Sequence, residues 1–270
     1  MDVPPVRHGD GMTSTPPSPR PRPGTASVSS TTTYETCPRR YRFAHVDRVP
    51  VDRAEAPVAW RMGTVVHAGL EAGFRHHQAV GTSTDLDHAV PAACAAVRTA
   101  WVDESMPDDP AELARAEATV ADALRATRLA PTDILGVEHR FRAETDDGVT
   151  VTGISDLVVR TGPGAIEIRD HKVTRSVRTA EQLHGDLQLG IYGWLARRTW
   201  PGTDHVVVAH HYPLTRELVR VDLDDAWVDA AVTRLRTVAH RAAADTEFTP
   251  TPGDHCRWCV YRAHCDAAAT

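Results

Sequence analysis

Apolar residues recur at helical spacing in the first half of the chain. This recurrence predicts helices, and clusters of Pro and Gly predict the breaks between them. The expected helices run from a cap near Ser29 to Phe43, and over about 61–79, 84–104 and 110–129. Pro38 is expected to bend or interrupt the first helix, because proline has no amide hydrogen to donate.

After Pro131 the pattern changes to short runs of β-branched residues. Turn sequences around Gly148 and Gly164 separate three such runs, which predicts a three-stranded meander. A helix, two more strands and a last amphipathic helix are expected to follow. The expected strands lie at about 134–143, 149–160, 165–172, 204–212 and 217–222, and the expected helices at about 179–199 and 224–244.

Length and composition favour one main domain. The chain has 270 residues, of which 41% are hydrophobic, and this is enough for one sizeable core over residues 28–270. Residues 1–27 are rich in Pro, Ser and Thr without apolar periodicity, which predicts a disordered tail. No run approaches the roughly 18 apolar residues that cross a bilayer, and no hydrophobic signal core is present. We therefore expect a cytoplasmic protein that does not bind membranes.

The charge is unevenly distributed. A formal net charge of −6 argues against a general polyanion binder. However, residues 1–62 carry nine arginines and six acids, whereas residues 81–133 carry four arginines and ten acids. A local basic groove is compatible with this gradient. Its candidate residues, which either contact phosphates and bases or form a solvated face, are Arg39, Arg40, Tyr41 and Arg42.

Lysine is nearly absent from the chain. Twenty-nine of the thirty basic residues are arginine, and the exception is Lys172. A GC-rich genome explains the preference for arginine but not the exception. An ammonium is a compact donor that fits beside a reacting water, where a planar guanidinium does not. Lys172 is therefore a candidate catalytic residue, with chance survival as the alternative.

The second and third predicted strands carry the densest chemistry. Period-two alternation puts Asp170 and Lys172 on one face with His171 opposite, and folding the hairpin puts Asp156 across from Asp170. Facing carboxylates repel each other unless a cation lies between them, and oxygen ligands at close quarters select Mg²⁺ or Mn²⁺. The alternative is a cross-strand salt bridge on a solvated face.

Four of the five cysteines are candidates for a second metal centre. Four thiolates suit either a tetrahedral zinc ion or a [4Fe–4S] cluster, and either would join the two ends of the fold. A thiolate replaced by His255 or His264 would favour zinc. Cys94, in an alanine-rich helix, is expected to be a small core residue. The four candidate ligands are Cys37, Cys256, Cys259 and Cys265.

The hairpin resembles the PD-(D/E)XK nuclease superfamily. Asp156 matches the first acid of its motif, and Asp170-x-Lys172 matches the second half, while Ser155 replaces the motif's proline. Other segments are similar to the RecB-like branch, which includes AddB-type and CRISPR-associated exonucleases. They are a Gly63-x-x-x-His67 helix and, after the hairpin, Gln188-x-x-x-Tyr192. Residues 27–265 carry the similarity.

This resemblance implies a fold class and an activity. The fold would be a restriction-endonuclease-like α/β core, in which helices flank a mixed central β-sheet. Residues 84–130 would be a helical insertion, and residues 250–265 a cysteine-rich staple that joins the termini. The activity would be metal-dependent hydrolysis of DNA, as an exonuclease, in DNA repair, recombination, or phage or CRISPR defence.

The resemblance also implies roles for the candidate residues. His67, Asp156, Asp170 and the His171 carbonyl would hold Mg²⁺ or Mn²⁺, and Lys172 would position the attacking water. Gln188 and Tyr192 would hold the lysine, the metal-site geometry or the DNA backbone. Glu138 is a weaker candidate, because an acid at the start of a strand is equally compatible with a surface position.

The resemblance favours a cluster over zinc and suggests partners. One cysteine before the nuclease core and three after it are similar to the iron–sulfur staple of the RecB-like branch. The substrate would be DNA, either single-stranded or with free ends. A helicase or a CRISPR adaptation protein would be the partner.

Two other classes of function are also considered. One is a catalytically silent DNA-binding subunit, against which the intact set of two acids, a lysine and a histidine argues. The other is a zinc-stapled interaction module of a repair or defence assembly, in which the hairpin charges are surface salt bridges.

Overall fold

Helices dominate the first part of the chain and strands the second, as the change of pattern at Pro131 predicts. The computed structural model describes residues 24–51 and 56–268. The helices that it contains are α1 (Val28–Thr36), α2 (Pro38–Tyr41), α3 (Val58–Val80), α4 (Val90–Asp103), α5 (Pro110–Ala126), α6 (Ala180–Leu183), α7 (Leu187–Thr199) and α8 (Asp225–Ala244). A π-helical turn over Arg42–Val46 follows α2, so Pro38 does interrupt the first predicted helix.

Six strands form one mixed sheet, which confirms the predicted fold class. The strand bounds are β1 (Thr25–Ala26), β2 (Ile134–Glu144), β3 (Thr150–Gly162), β4 (Ala165–His171), β5 (His205–Tyr212) and β6 (Glu217–Asp222). Strands β2, β3 and β4 are the expected antiparallel meander, and β4 pairs in parallel with β5. The sheet order is β1, β3, β4, β5, β6, and β2 also pairs with β3.

The folded part begins earlier than the sequence predicts. Residues 1–23 of the predicted tail lie outside the described residues, but Thr25 and Ala26 pair in parallel with β3. Ser27 then caps α1, and its hydroxyl accepts from the Ser30 amide at 3.1 Å. The predicted tail is therefore wrong at its last residues, because a two-residue strand is too short to show periodicity.

Helices cover both faces of the sheet. Alternation along β3 sends Val158 into a core with α7 and α8, and sends Leu157 and Val159 into a second core with α3, α4 and α5. The chain therefore forms three layers, with the sheet in the middle. The first residues of α3 and the edge of the β3–β4 hairpin meet at the surface of the second core.

The prediction of one continuous helix over 179–199 is wrong. Helix α6 ends at Leu183, and Gly185 takes a φ of +84°, a conformation that glycine adopts without steric cost. Asp186 then caps α7, and its carboxylate accepts from the Gln188 amide at 2.9 Å. Because of this break, a separate helix α7 begins at Leu187, and its second residue, Gln188, contacts Lys172 at the end of the hairpin.

None of the helices in the described residues is long and apolar enough to span a bilayer.

Candidate active site

The β3–β4 hairpin brings the predicted carboxylates together. Leu157 pairs with Arg169, so the next positions, Asp156 and Asp170, lie across from each other as predicted. The His171 amide donates a hydrogen bond to the Asp156 carboxylate. Asp170 is only 4% exposed, which excludes the alternative of a salt bridge on a solvated face.

Helix α3 adds an imidazole to this carboxylate pair. Nδ1 of His67 lies 3.3 Å from Oδ1 of Asp156, and Nε2 lies 3.0 Å from the His171 carbonyl oxygen. One ring therefore contacts both an acid of β3 and the last backbone carbonyl of β4. The predicted metal ligands His67, Asp156 and His171 contact one another in the structure, and Asp170, next to His171 on β4, lies across the hairpin from Asp156.

Lys172 is held by a chain of hydrogen bonds that leads into α7. Its Nζ lies 2.6 Å from Oδ2 of Asp170 and donates to Oε1 of Gln188 at 2.9 Å. Nε2 of Gln188 donates to the Tyr192 hydroxyl at 2.9 Å, and that hydroxyl donates to the Ile154 carbonyl. The chain orients the ammonium and ties α7 to β3, which is the arrangement expected when Gln188 and Tyr192 hold the lysine.

Glu138 belongs to the same cluster, although its place in the sequence gave only weak support for this. On β2 it lies across from Asp156, between the pairs Val137–Leu157 and His139–Ser155. Ligand atoms of His67, Glu138 and Asp156 all lie within 4.8 Å of one another, so these three residues could hold a metal ion. Glu138 takes a φ of +47°, which a residue other than glycine rarely adopts.

A register shift in β2 explains why sequence analysis left Glu138 provisional. The pairing of β2 with β3 is irregular between Ile134 and Gly136. An irregularity of this kind re-aims the side chains that follow it, so simple alternation from the start of the strand does not place Glu138.

The electrostatics of the cluster favour an added cation. Burial, followed by the neighbouring Asp156 and Glu71, raises the pKa of Glu138 to about 7. Burial and Asp156 raise the pKa of Asp170, and Lys172 opposes this rise. Burial lowers the pKa of His67, but contact with Asp156 raises it more, so its net pKa lies above the ordinary value. Without a metal ion, protons held by Glu138, Asp170 and His67 therefore offset part of the negative charge of the cluster, which a divalent ion would otherwise neutralise.

The His171 side chain lies on the opposite face from the Asp170–Lys172 pair, as alternation predicts. It is 4% exposed and stacks on Phe74 of α3, with ring centroids 5.9 Å apart. Its Nδ1 lies 2.9 Å from Nδ1 of His211 on β5. His171 can therefore offer its backbone carbonyl to the cluster while its ring packs in the core.

The predicted nucleic-acid contact by Tyr41 is wrong. Tyr41 is 7% exposed and stacks on Phe248, with ring centroids 6.2 Å apart, so neither face is free for a base. Its apolar ring fills the small core between α1 and α8. Arg39 hydrogen bonds to the Phe248 carbonyl, and Arg42 pairs with Asp47, both without full burial. Phosphate contacts by Arg39, Arg40 and Arg42 stay predictions.

The four candidate cysteines line one small cavity between α2 and the C-terminal segment. It also contains Arg40 and His255. Backbone amides of the C-terminal segment lie 3.5 Å from two of the sulfur atoms, those of Cys37 and Cys256. The two ends of the fold therefore meet at these thiols: Cys37, Cys256, Cys259 and Cys265.

Comparison with known proteins identifies relatives of this fold and site. Residues 25–266 match the sequence model of the PD-(D/E)XK nuclease superfamily. No curated protein matches the chain. A crystal structure of a provisionally named exonuclease from Eubacterium rectale is 16% identical, with a TM-score of 0.58 over 92% of this chain and 90% of that one. The crystal structure of SSO0001 is 14% identical, with a TM-score of 0.40 over 92% of this chain and 88% of that one. The first likeness shows a shared fold, and the second is too weak to support an argument.

Proposed function

The chain belongs to the PD-(D/E)XK nuclease superfamily, and we propose that it is a metal-dependent DNA exonuclease of the RecB-like branch. The observation that carries this proposal is the convergence of His67, Asp156, Asp170 and Lys172 in one cleft. His67 comes from α3, about 90 residues before the hairpin that carries Asp156, Asp170 and Lys172. The cleft holds the motif's two acids and its lysine together with a histidine at hydrogen-bonding distance.

The donor set fits Mg²⁺ or Mn²⁺. Carboxylate and carbonyl oxygens are the ligands that these hard ions prefer, and imidazole is compatible with Mn²⁺. His67, Asp156, Asp170 and the His171 carbonyl would hold the ion, and Glu138 adds a further carboxylate within reach. When bound, such an ion neutralises a scissile phosphate and lowers the pKa of a water molecule.

The protein's own residues position the reactants. Lys172 can donate to an attacking water or to an oxygen of the phosphate that gains negative charge. Asp170 and Gln188 fix the ammonium from two sides, so little orientational freedom has to be lost when the substrate binds. We assign Gln188 and Tyr192 to positioning, because they contact Lys172 directly or through one hydrogen bond.

We further propose that the four cysteines bind a [4Fe–4S] cluster. Four cysteine thiolates are the ligand set of a [4Fe–4S] cluster and also of a tetrahedral zinc ion. The four thiols line one cavity, as either a zinc ion or a cluster would require. The order of the ligands in the chain, one before the nuclease core and three after it, supports the cluster over zinc.

The cellular role follows from the proposed branch. Degradation of DNA from free ends fits DNA repair, recombination, or phage or CRISPR defence. A helicase or a CRISPR adaptation protein would supply such ends.

Incubation with end-labelled single-stranded and duplex DNA tests the nuclease proposal. With Mn²⁺ we expect stepwise shortening of the labelled strand by the wild-type protein, and no cleavage in EDTA. The variant Asp170→Asn should cleave DNA at least about 100-fold more slowly than the wild-type protein, while its far-ultraviolet circular dichroism is unchanged. Absence of cleavage by the wild-type protein with every divalent ion would contradict the proposal.

A further inference from the structure

An exposed tryptophan lies in the same cleft as the candidate active site. Trp60, in the first turns of α3, is 50% exposed and lines the cleft together with Thr64 and His67. Positions 60, 64 and 67 share one face of a helix, and seven residues span about 10 Å along its axis. The indole therefore lies on the helix face that carries the candidate metal ligand, about two turns away.

Strand β3 also exposes apolar surface in this cleft. Ile154 of β3 is 39% exposed and lies two residues before Asp156 on the same face of the strand. Contiguous exposed apolar surface with a polar rim marks binding sites on proteins, and here two exposed apolar side chains line one cleft with four carboxylates. Trp60 of α3 and Ile154 of β3 thus add apolar surface from two different elements to this cleft.

The charges of the cleft are unsuited to gripping a DNA backbone. Four carboxylates line it, and Lys172 is the single lysine or arginine among its described lining residues. This ammonium is already paired with Asp170. Duplex DNA presents mainly phosphates to a shallow cleft, and these would meet repulsion everywhere except at a bound metal ion. A single strand can also offer the faces of its bases, which stack on aromatic side chains regardless of sequence.

We propose that Trp60 is a stacking platform for an unpaired base of a single-stranded DNA substrate, and that it positions the neighbouring phosphate at the His67–Asp156 cluster. The proposal rests on the proposed nuclease function and deepens it by naming the substrate form and the residue that selects it. Ile154 of β3 offers a second apolar contact in the same cleft. Affinity then comes from bases, while the carboxylates keep their role in metal binding.

A comparison of base-bearing and abasic oligonucleotides tests this platform. Fluorescence anisotropy in EDTA measures the binding of a labelled single strand without cleavage. The same strand with one abasic residue, moved nucleotide by nucleotide, keeps every phosphate but removes one base. We expect one position at which base removal weakens binding by roughly 5- to 150-fold, the range for loss of one base–aromatic stack.

Variants of Trp60 assign that loss to the indole. Trp60→Ala should weaken binding of the intact strand by the same factor and make binding insensitive to the abasic position, while Trp60→Phe retains part of the effect. Val58→Ala is the matched control, because Val58 is 46% exposed in the same turn of α3 but does not line the cleft. It should bind both strands as the wild-type protein does.

Other outcomes would overturn the platform. Equal weakening of intact and abasic strands in Trp60→Ala would indicate a structural effect, and unchanged binding would indicate that the indole serves another contact. Binding of duplex as tight as that of the single strand would also contradict it.

The cleavage assay separates the platform from the nuclease function. Wild-type protein that cleaves DNA but binds intact and abasic strands equally would support the nuclease function and contradict the platform. Wild-type protein that binds bases through Trp60 but never cleaves DNA would support the platform and contradict the nuclease function.

Discussion

The pKa values of individual residues in the cleft give a test of metal binding. Glu138 and His67 both have folded-state pKa values above their ordinary values. Because the pKa of Glu138 is raised in the fold, its ionisation makes the metal-free fold less stable as the pH rises from about 4.5 to about 7. The pKa of His67 is also raised, so its stabilising contribution is present below about pH 6.5 and is lost at higher pH. Both residues therefore make the metal-free fold less stable as the pH rises.

We therefore expect Mn²⁺ to stabilise the protein more at pH 8 than at pH 6. At about 100 times its dissociation constant the ion contributes about 2.7 kcal/mol, or roughly 5–10 °C in Tm for a domain of this size. At pH 6 protons compete with Mn²⁺ for Glu138 and His67, so the increase in Tm caused by Mn²⁺ should be smaller there. Thermal unfolding with and without Mn²⁺ at the two pH values measures this increase. Glu138→Gln should reduce the difference between the two pH values, and an equal shift at both would argue against this set of ligands.

Tyr192 gives a second test at the scale of one hydroxyl. Removing it in Tyr192→Phe leaves the Ile154 carbonyl and Gln188 without their partner, at a cost of about 1–2 kcal/mol in the free energy of unfolding. Because Gln188 holds Lys172, we expect kcat to fall about 10-fold with little change in KM. Urea unfolding and steady-state cleavage measure these two effects.

The matched control is Tyr34→Phe. The Tyr34 hydroxyl is also buried and donates to Asp245 at 2.7 Å, but it lies between α1 and α8, outside the cleft. This variant should lose similar stability and keep its kcat. If Tyr192→Phe also keeps its kcat, the hydrogen-bond chain has no role in positioning Lys172.

At the scale of elements, small residues in α3 set how closely the helical layer packs. A Cβ added at Gly69 would lie 2.6 Å from Cγ2 of Val97 on α4 and 3.0 Å from Cγ2 of Val120 on α5. Both valines are fully buried and β-branched, so they cannot rotate away easily. A Cβ at Gly63 would have no heavy atom within 4 Å.

These two glycines should therefore respond in opposite ways to the same substitution. We expect Gly69→Ala to lower the free energy of unfolding by about 1–2 kcal/mol through overpacking. Gly63→Ala should raise it by up to about 1 kcal/mol, because alanine restricts the unfolded chain and favours the helix. Urea denaturation of both variants checks this. A stabilising Gly69→Ala would mean that α3 does not pack closely on α4 and α5.

The elements also show what sequence patterns could and could not predict. The hairpin, its facing acids and the shared face of Asp170 and Lys172 followed from strict alternation along the regular parts of β3 and β4. The break between α6 and α7 was missed, because one glycine in an otherwise helical pattern does not by itself end a helix. Tyr41 was misassigned, because an aromatic residue between arginines gives the same pattern whether it faces solvent or a small core. The position of Glu138 in the cluster depends on the irregular register of β2, which is visible only in the folded sheet.

At the scale of the whole molecule, the cysteine cavity joins the two ends of the fold. A group bound there, as proposed, would link Cys37, which precedes most of the chain, to the three cysteines near its end. Binding energy of this kind adds to folding stability, since the unfolded chain does not hold the ligands together.

We expect protein purified without oxygen to contain about four iron atoms per chain and to absorb broadly in the visible range. Cys259→Ser should lose most of the absorption and lower Tm by roughly 5 °C or more. Cys94→Ser is the control, because Cys94 lies on α4 outside the cysteine cavity. A colourless wild-type protein with one zinc ion per chain would contradict the cluster.

The most direct test of the central claim replaces one oxygen of the scissile phosphate by sulfur. If the ion held by His67, Asp156 and Asp170 contacts that phosphate, one of the two phosphorothioate isomers should be cleaved much more slowly than normal DNA with Mg²⁺, which binds sulfur poorly. Mn²⁺, which accepts softer ligands, should restore most of the rate for that isomer. Equal slowing of both isomers with both metals would contradict a metal ion in contact with the reacting phosphate.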